Sequence, residues 1–144
     1  MNPGLFVCYN SAGDSMERIE KQMQFILEID KEKQIKRKTL QSNGQDFEDD
    51  AQHAWHMAIM TLLLSEYANE EIDVLKTISM LLIHDLVEID AGDTYAYDDQ
   101  GLKTQSKREA LAANRIFNLL PEDQAKKVFD LWNEFEERKT AEAK

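Results

Sequence analysis

A chain of 144 residues, 42% of them hydrophobic, is long enough for one domain with a buried core, and its five glycines and two prolines favour an all-helical fold. A formal net charge of −11 argues against non-specific nucleic-acid binding, which needs Lys and Arg against phosphates, and against docking on an anionic membrane, while it suits divalent cations. No apolar run approaches the roughly 18 residues of a spanning helix, residues 1–10 lack a secretory pattern, and the single cysteine, Cys8, points to a reducing, cytoplasmic setting.

Residues 1–15 contain Pro3, Gly4, Asn10, Ser11 and Gly13 without helical periodicity. They read as a flexible leader, or as sequence ahead of a natural start at Met16, with the domain over 16–144. Asp14 or Ser15 is suited to cap a helix over 16–31, where Ile19, Met23, Ile26 and Leu27 recur at helical spacing. Residues 31–38 are strongly basic: a solvated face near a helix C-terminus, or the source of a phosphate contact. Arg37 suits that contact best, because its planar fork pairs two oxygens at once. Ser42, Asn43 and Gly44 mark a turn. Acids from Asp46 to Asp50 then precede a helix over 50–68, which is apolar around much of its circumference through Ala54, Trp55, Ala58, Ile59, Leu62 and Leu63 and should lie deep in a bundle. The next helix, 71–89, turns Ile72, Leu75, Ile78, Leu82 and Leu86 inward. A loop at 90–105 rich in Asp and Tyr, a helix over 105–119 and a last helix from Pro121 to about 138 complete the pattern.

The chemistry concentrates at 80–94, where an apolar run passes into His84, Asp85, Glu88, Asp90 and Asp93. Unpaired buried charges are strongly penalised, and a metal ion is the most economical compensation. His53 and His56 lie near the start of the preceding helix; imidazole with carboxylate suits Mn, Co, Fe, Ni or Zn. Either histidine is a candidate ligand on spacing alone. His84 and Asp85 point about 100° apart on a regular helix, so an ion that meets both must sit over the edge between them. Glu88 follows one turn after His84, and Asp93 comes just past Gly92, in a turn that would aim its carboxylate. A metal-bound water beside such carboxylates is the machinery of metal-assisted hydrolysis. Each residue taken alone also fits a blander role, as a core histidine or a helix-end acid. There is no Walker loop, dinucleotide fingerprint or nucleophile elbow, and Cys8 has no evident base partner, so covalent catalysis is unsupported.

Three stretches carry a resemblance: D-D-A-Q-H-A-W-H-M-A, L-L-I-H-D-L-V-E-I-D-A-G-D-T-Y-A-Y-D, and L-L-P-E-D-Q-A followed by L-W-N-E-F-E. Together they resemble the HD-domain metal-dependent phosphohydrolase superfamily, in particular its 5′-deoxynucleotidase branch, across about residues 16–144. The resemblance implies an all-α HD-domain helical bundle holding one divalent metal ion (Mn, Co, Fe, Ni, Zn or Mg). It implies a homodimer that hydrolyses nucleoside 5′-monophosphates, deoxynucleotides foremost, to nucleoside and phosphate. By position it implies His53, His84 and Asp85 as metal ligands, Glu88 and Asp93 as acids that assist water and substrate, and Arg37 as the phosphate holder; it favours His53 over His56 for that reason. Gln52 departs from the glutamate common before the first histidine. The family's pattern ends in a distal aspartate on a helix expected shortly after 140–144, so on this reading the site is one ligand short. Asp130 lies too early to supply it. Two alternatives stay open: a cyclic or dinucleotide phosphodiesterase, and a non-catalytic helical module with a structural metal site.

Overall fold

Helix α1 (Ser11–Ile29) opens the part of the chain that the computed structural model describes, residues 11–93 and 99–144. Residues 1–10 of the expected leader, and 94–98 of the expected loop, lie outside the described residues. The helix starts ahead of Asp14 and Ser15, so neither is its cap. It passes through a 3-10 turn (Asp30–Gln34) into an antiparallel hairpin, β1 (Lys36–Leu40) and β2 (Phe47–Asp49), with Lys36 opposite Asp49 and Leu40 opposite Phe47. Asn43 closes the hairpin loop: its Oδ1 accepts from the backbone N–H groups of Gln45 and Asp46 at 2.9 and 3.1 Å, and Gly44 takes φ +69°.

Helix α2 (Asp50–Leu64) begins in a capping box: the Asp49 carboxylate accepts from Gln52 N–H at 2.9 Å, and Gln52 Oε1 accepts from Asp49 N–H at 3.1 Å. Asp73 caps α3 (Val74–Ile83) by accepting from Lys76 N–H at 3.0 Å. A non-helical turn over 84–87 leads to the short α4 (Glu88–Ala91), and α5 (Asp99–Phe117) and α6 (Glu122–Glu137) follow. Pro121 precedes α6, as expected of a residue with no N–H to leave unpaired. The fold is thus all-α with one small hairpin.

Several boundaries differ from the sequence reading. The hairpin was not anticipated, because Lys36–Leu40 has no polar–apolar alternation and its pairing is set by the Asn43 turn. The expected helix 71–89 is three pieces, and residues 99–105 of the expected loop 90–105 belong to α5.

The core lies elsewhere than along α2. Leu86, Val87, Ala91, Ala112, Ala113, Ile116, Phe117 and Trp132 form one buried cluster from the turn and helices α4 to α6, with Phe25 and Ile29 of α1 against it. Phe117 meets Phe129 edge-on at 5.1 Å between ring centroids. Helix α2 packs chiefly on α3 and buries only Ala54 and Ala58 of its expected inner residues; Trp55 is 62% and Leu63 65% exposed. Leu75 and Leu82 of α3, and Ile19, Met23, Ile26 and Leu27 of α1, are also exposed. Periodicity reveals that a helix has an apolar side, not which neighbour covers it. Among the described residues no helix is long and apolar enough to cross a membrane.

Candidate metal centre

His84 and Asp85 sit where α3 gives way to the turn over 84–87. His84 caps α3 with its N–H on Met80 O at 2.9 Å, and the chain then tightens: Leu86 N–H bonds Ile83 O at 3.2 Å and Glu88 N–H bonds Asp85 O at 2.8 Å. These three-residue bonds wind the turn more tightly than a regular helix, and the two neighbouring side chains meet across its edge. His84 Nε2 lies 2.9 Å from Asp85 Oδ2. Its Nδ1 sits 2.8 Å from Leu81 O, a pure acceptor, so Nδ1 carries a proton, and Nε2 is the nitrogen turned toward Asp85. His53, on the first turn of α2, has Nδ1 3.3 Å from Glu48 Oε1 and its ring centroid 5.8 Å from that of His84. One ligand atom from each of His53, His84 and Asp85 falls within 4.8 Å of the others. Phe135 of α6 closes over His84 at 4.9 Å between ring centroids.

Arg37 reaches the same place from β1. Its Nη1 donates to Asp85 Oδ2 at 2.7 Å and to Asp50 Oδ1 at 3.0 Å, and its Nε lies 3.8 Å from Glu48 Oε1 without a hydrogen bond. Asp50 is fully buried, and Glu32 from the 3-10 turn and Glu88 from α4 are buried beside it.

Burial dominates the titration of these groups. It pushes Glu88 up to about 10, with the Asp85 and Asp50 charges adding to it and Asp93 contributing further. It raises Glu32 to about 7, helped by the Asp50 and Asp85 charges, and Asp50 to about 6, helped by Asp85. Were both ionised, Asp50 Oδ2 and Glu88 Oε2 would be buried without a donor; a proton kept by Glu88 and donated to Asp50 relieves this. Asp85 behaves differently. Burial raises it, but the hydrogen bond and charge of His84 and the Arg37 guanidinium outweigh burial and hold it below the usual range. Burial pulls His84 down, and its Asp85 partner more than restores it. Burial and then the Arg37 charge lower His53.

This environment fits a divalent ion. Carboxylates outnumber the guanidinium of Arg37, and Glu32 Oε1 is buried with no hydrogen-bond partner among the described residues. Two imidazoles and a carboxylate suit first-row divalents. Both histidines have Nδ1 against an oxygen, Leu81 O for His84 and Glu48 Oε1 for His53, the arrangement that orients Nε2 for a metal.

The remaining expectations divide. Asp93 is half-buried directly after Gly92, whose φ of +73° favours glycine, and lies near enough to raise Glu88. His56 is exposed and stacks on Trp55, outside the ligand group. Gln52 is exposed and spends its carbonyl on the capping box and on Gln41. Asp130 is exposed and pairs with Lys126 at 2.6 Å. Sequence reasoning missed Glu48, Asp50 and Glu32 as parts of this site: Glu48 comes from the unread hairpin, Glu32 from the 3-10 turn ahead of it, and Asp50, one turn before His53 on α2, reads in the sequence only as an acid suited to the helix dipole.

The family model described as HD domain matches residues 29–144. A solved predicted metal-dependent phosphohydrolase from Magnetospirillum magnetotacticum MS-1 is 49% identical with a TM-score of 0.83, over 88% of this chain and 63% of that one. The 5′-deoxynucleotidase HDDC2 of Bos taurus is 33% identical over 71% of this chain and 48% of its own length. Its Dictyostelium discoideum counterpart is 33% identical over 84% and 67% respectively. A helical fold with a His–His–Asp group at its centre defines the class, and the chain belongs to the HD domain family. It spans about half the length of the Bos taurus relative.

Proposed function

We propose that this chain carries the active centre of a metal-dependent phosphohydrolase that converts nucleoside 5′-monophosphates, deoxynucleotides foremost, to nucleoside and phosphate. The observation that carries the reading is the convergence of His53, His84 and Asp85 with the Arg37 guanidinium seated on the same Asp85 carboxylate. The substrate class is supported by relatives that are themselves named 5′-deoxynucleotidases.

His53, His84 and Asp85 would hold one divalent ion, Mn, Co, Fe, Ni, Zn or Mg. When bound, the ion supplies positive charge for a phosphate oxygen and a water of lowered pKa. Arg37 adds a second, permanent positive charge and a planar donor edge matched to phosphate. Glu88, buried beside Asp50 and Asp85 where burial favours the neutral acid, would give its proton to the departing nucleoside 5′-oxygen as the P–O5′ bond breaks. Asp93 takes the proton released by the attacking water as the new P–O bond forms. Phosphoryl transfer asks mainly for this positioning and charge compensation.

The proposed assembly is a homodimer, supported by the apolar side chains left exposed on α1 and α2. The lone cysteine supports a cytoplasmic location.

Phosphate release from a panel of 5′-mono-, cyclic and dinucleotides, with Mn²⁺, Co²⁺, Ni²⁺, Zn²⁺ and Mg²⁺ in turn, tests the reading. Release from 5′-monophosphates and not from the diesters is expected. Turnover of diesters alone would replace the substrate class, and metal binding with no release from any nucleotide would leave a structural metal site.

A further inference from the structure

Asp50 is the acid that no motif singles out, yet it is 0% exposed and touches three parts of the site. It is the first residue of α2, and its N–H bonds Ile35 O at 3.2 Å, tying the start of α2 to the chain just before β1. Its Oδ1 accepts from Arg37 Nη1 at 3.0 Å, and its carboxyl also takes a hydrogen bond from Glu88. It does not belong to the His53, His84 and Asp85 ligand group.

Arg37 needs such an anchor. It rises from a five-residue strand paired only to β2 among the described residues, and a free arginine side chain carries much rotamer entropy. Of its carboxylate neighbours, Glu48 is 3.8 Å from Nε without a hydrogen bond, and Asp85 is one of the three grouped ligand residues. Asp50 is the one hydrogen-bonded partner of Arg37 with no other claim on its charge from a cation site. Both Arg37 bonds leave from Nη1, so Nη2 makes none among the described residues. An ion pair with one partner fully buried is a poor device for stability alone, since desolvation offsets its attraction.

We propose that Asp50 is a positioning residue that holds the Arg37 guanidinium with its Nη2 edge presented to a phosphate oxygen; this rests on the phosphohydrolase reading above.

The test is a double-mutant cycle on the Mn²⁺-loaded protein. Binding of inorganic phosphate is measured by calorimetry, and KM and kcat with deoxyadenosine 5′-monophosphate, for the parent, Asp50→Ala, Arg37→Ala and the pair together. Asp50→Ala is expected to weaken phosphate binding and raise KM about tenfold, with a smaller change in kcat and Mn²⁺ affinity within about twofold. In the Arg37→Ala background the same change should cost nothing further. Asp50→Asn, which keeps Oδ1 as an acceptor of the same shape, should recover part of the loss, and it carries the cycle if Asp50→Ala does not fold. Additive losses in the double variant, or a loss of Mn²⁺ affinity as large as the loss of phosphate affinity, would overturn the proposal. A parent that binds phosphate but turns over no nucleotide refutes the hydrolase reading while the cycle is still read on binding. A parent that binds no phosphate overturns both.

Discussion

Asp85 Oδ2 accepts from Arg37 Nη1 at 2.7 Å and lies 2.9 Å from His84 Nε2. One carboxylate oxygen is therefore shared between the site's guanidinium and one of its imidazoles. This sharing keeps Asp85 ionised despite its burial, whereas Glu88, one turn away without a cation of its own, is held protonated.

Arg37→Lys keeps the positive charge and removes the fork. Lysine can point one ammonium at Asp85 or Asp50 but cannot bridge both and still offer a planar edge. KM for a nucleoside 5′-monophosphate should rise about tenfold while Mn²⁺ affinity stays nearly unchanged, measured by steady-state kinetics beside calorimetry. Equal kinetics for the two proteins would remove Arg37 from phosphate binding.

Glu48→Gln tests the support behind His53. The variant leaves every proposed ligand in place but weakens the acceptor that faces His53 Nδ1 at 3.3 Å. Losing such a partner typically costs about 10- to 100-fold in metal affinity. Mn²⁺ competition against a chelator should show a loss in that range; an unchanged affinity would mean that Glu48 only lines the site.

The pH dependence of stability follows from the buried acids. Glu88 is pushed up to about 10 by burial, then by Asp85 and Asp50, against an ordinary value of 4.5. Between those limits the folded chain binds a proton that the unfolded chain releases, so stability falls as pH rises. Asp50 at about 6 and Glu32 at about 7 act in the same sense at the lower end, as does His84, whose contribution is full below 6.5 and fades above it. His53 opposes them near 6.5, and Asp85 opposes only under strongly acid conditions. One group contributes a slope of at most about 1.4 kcal/mol per pH unit. Urea midpoints of the metal-free protein should fall from pH 5 to pH 9, and Glu88→Gln should flatten the decline. The same slope in Glu88→Gln would show that Glu88 is ionised in the fold.

How much of this was legible in the sequence depends on how far apart the participants lie. His84 and Asp85 stand out because charge in an apolar run needs a partner, Arg37 stands out in the basic stretch for its planar fork, and the resemblance selects His53 over His56. Glu48 reaches the site through a hairpin that Lys36–Leu40 and Phe47–Asp49 do not announce, Glu32 through the 3-10 turn before it, and Asp50, three residues ahead of His53, reads equally well as an acid at the start of α2. The burial of α2 was misjudged for a related reason. Trp55, Ile59, Leu62 and Leu63 mark an apolar side, but α2, which packs chiefly on α3, buries the small residues Ala54 and Ala58 instead.

Phe117→Ala should be the costliest single truncation in the core. The ring is fully buried and touches Phe129 and Trp132, joining α5 to α6. A loss of about 3–5 kcal/mol is expected from transfer and cavity together. Urea unfolding of the metal-free protein measures it. A loss below about 1 kcal/mol would mean that the α5–α6 contact relaxes around the gap.

The most direct measurement is a calorimetric titration of Mn²⁺ into chelator-treated protein, with the parent beside His53→Ala and Asp85→Ala. The account predicts one ion per chain in the parent and binding weakened at least about a hundredfold in each variant, as expected when a direct ligand is lost rather than its support. Equal Mn²⁺ binding by all three proteins would contradict it.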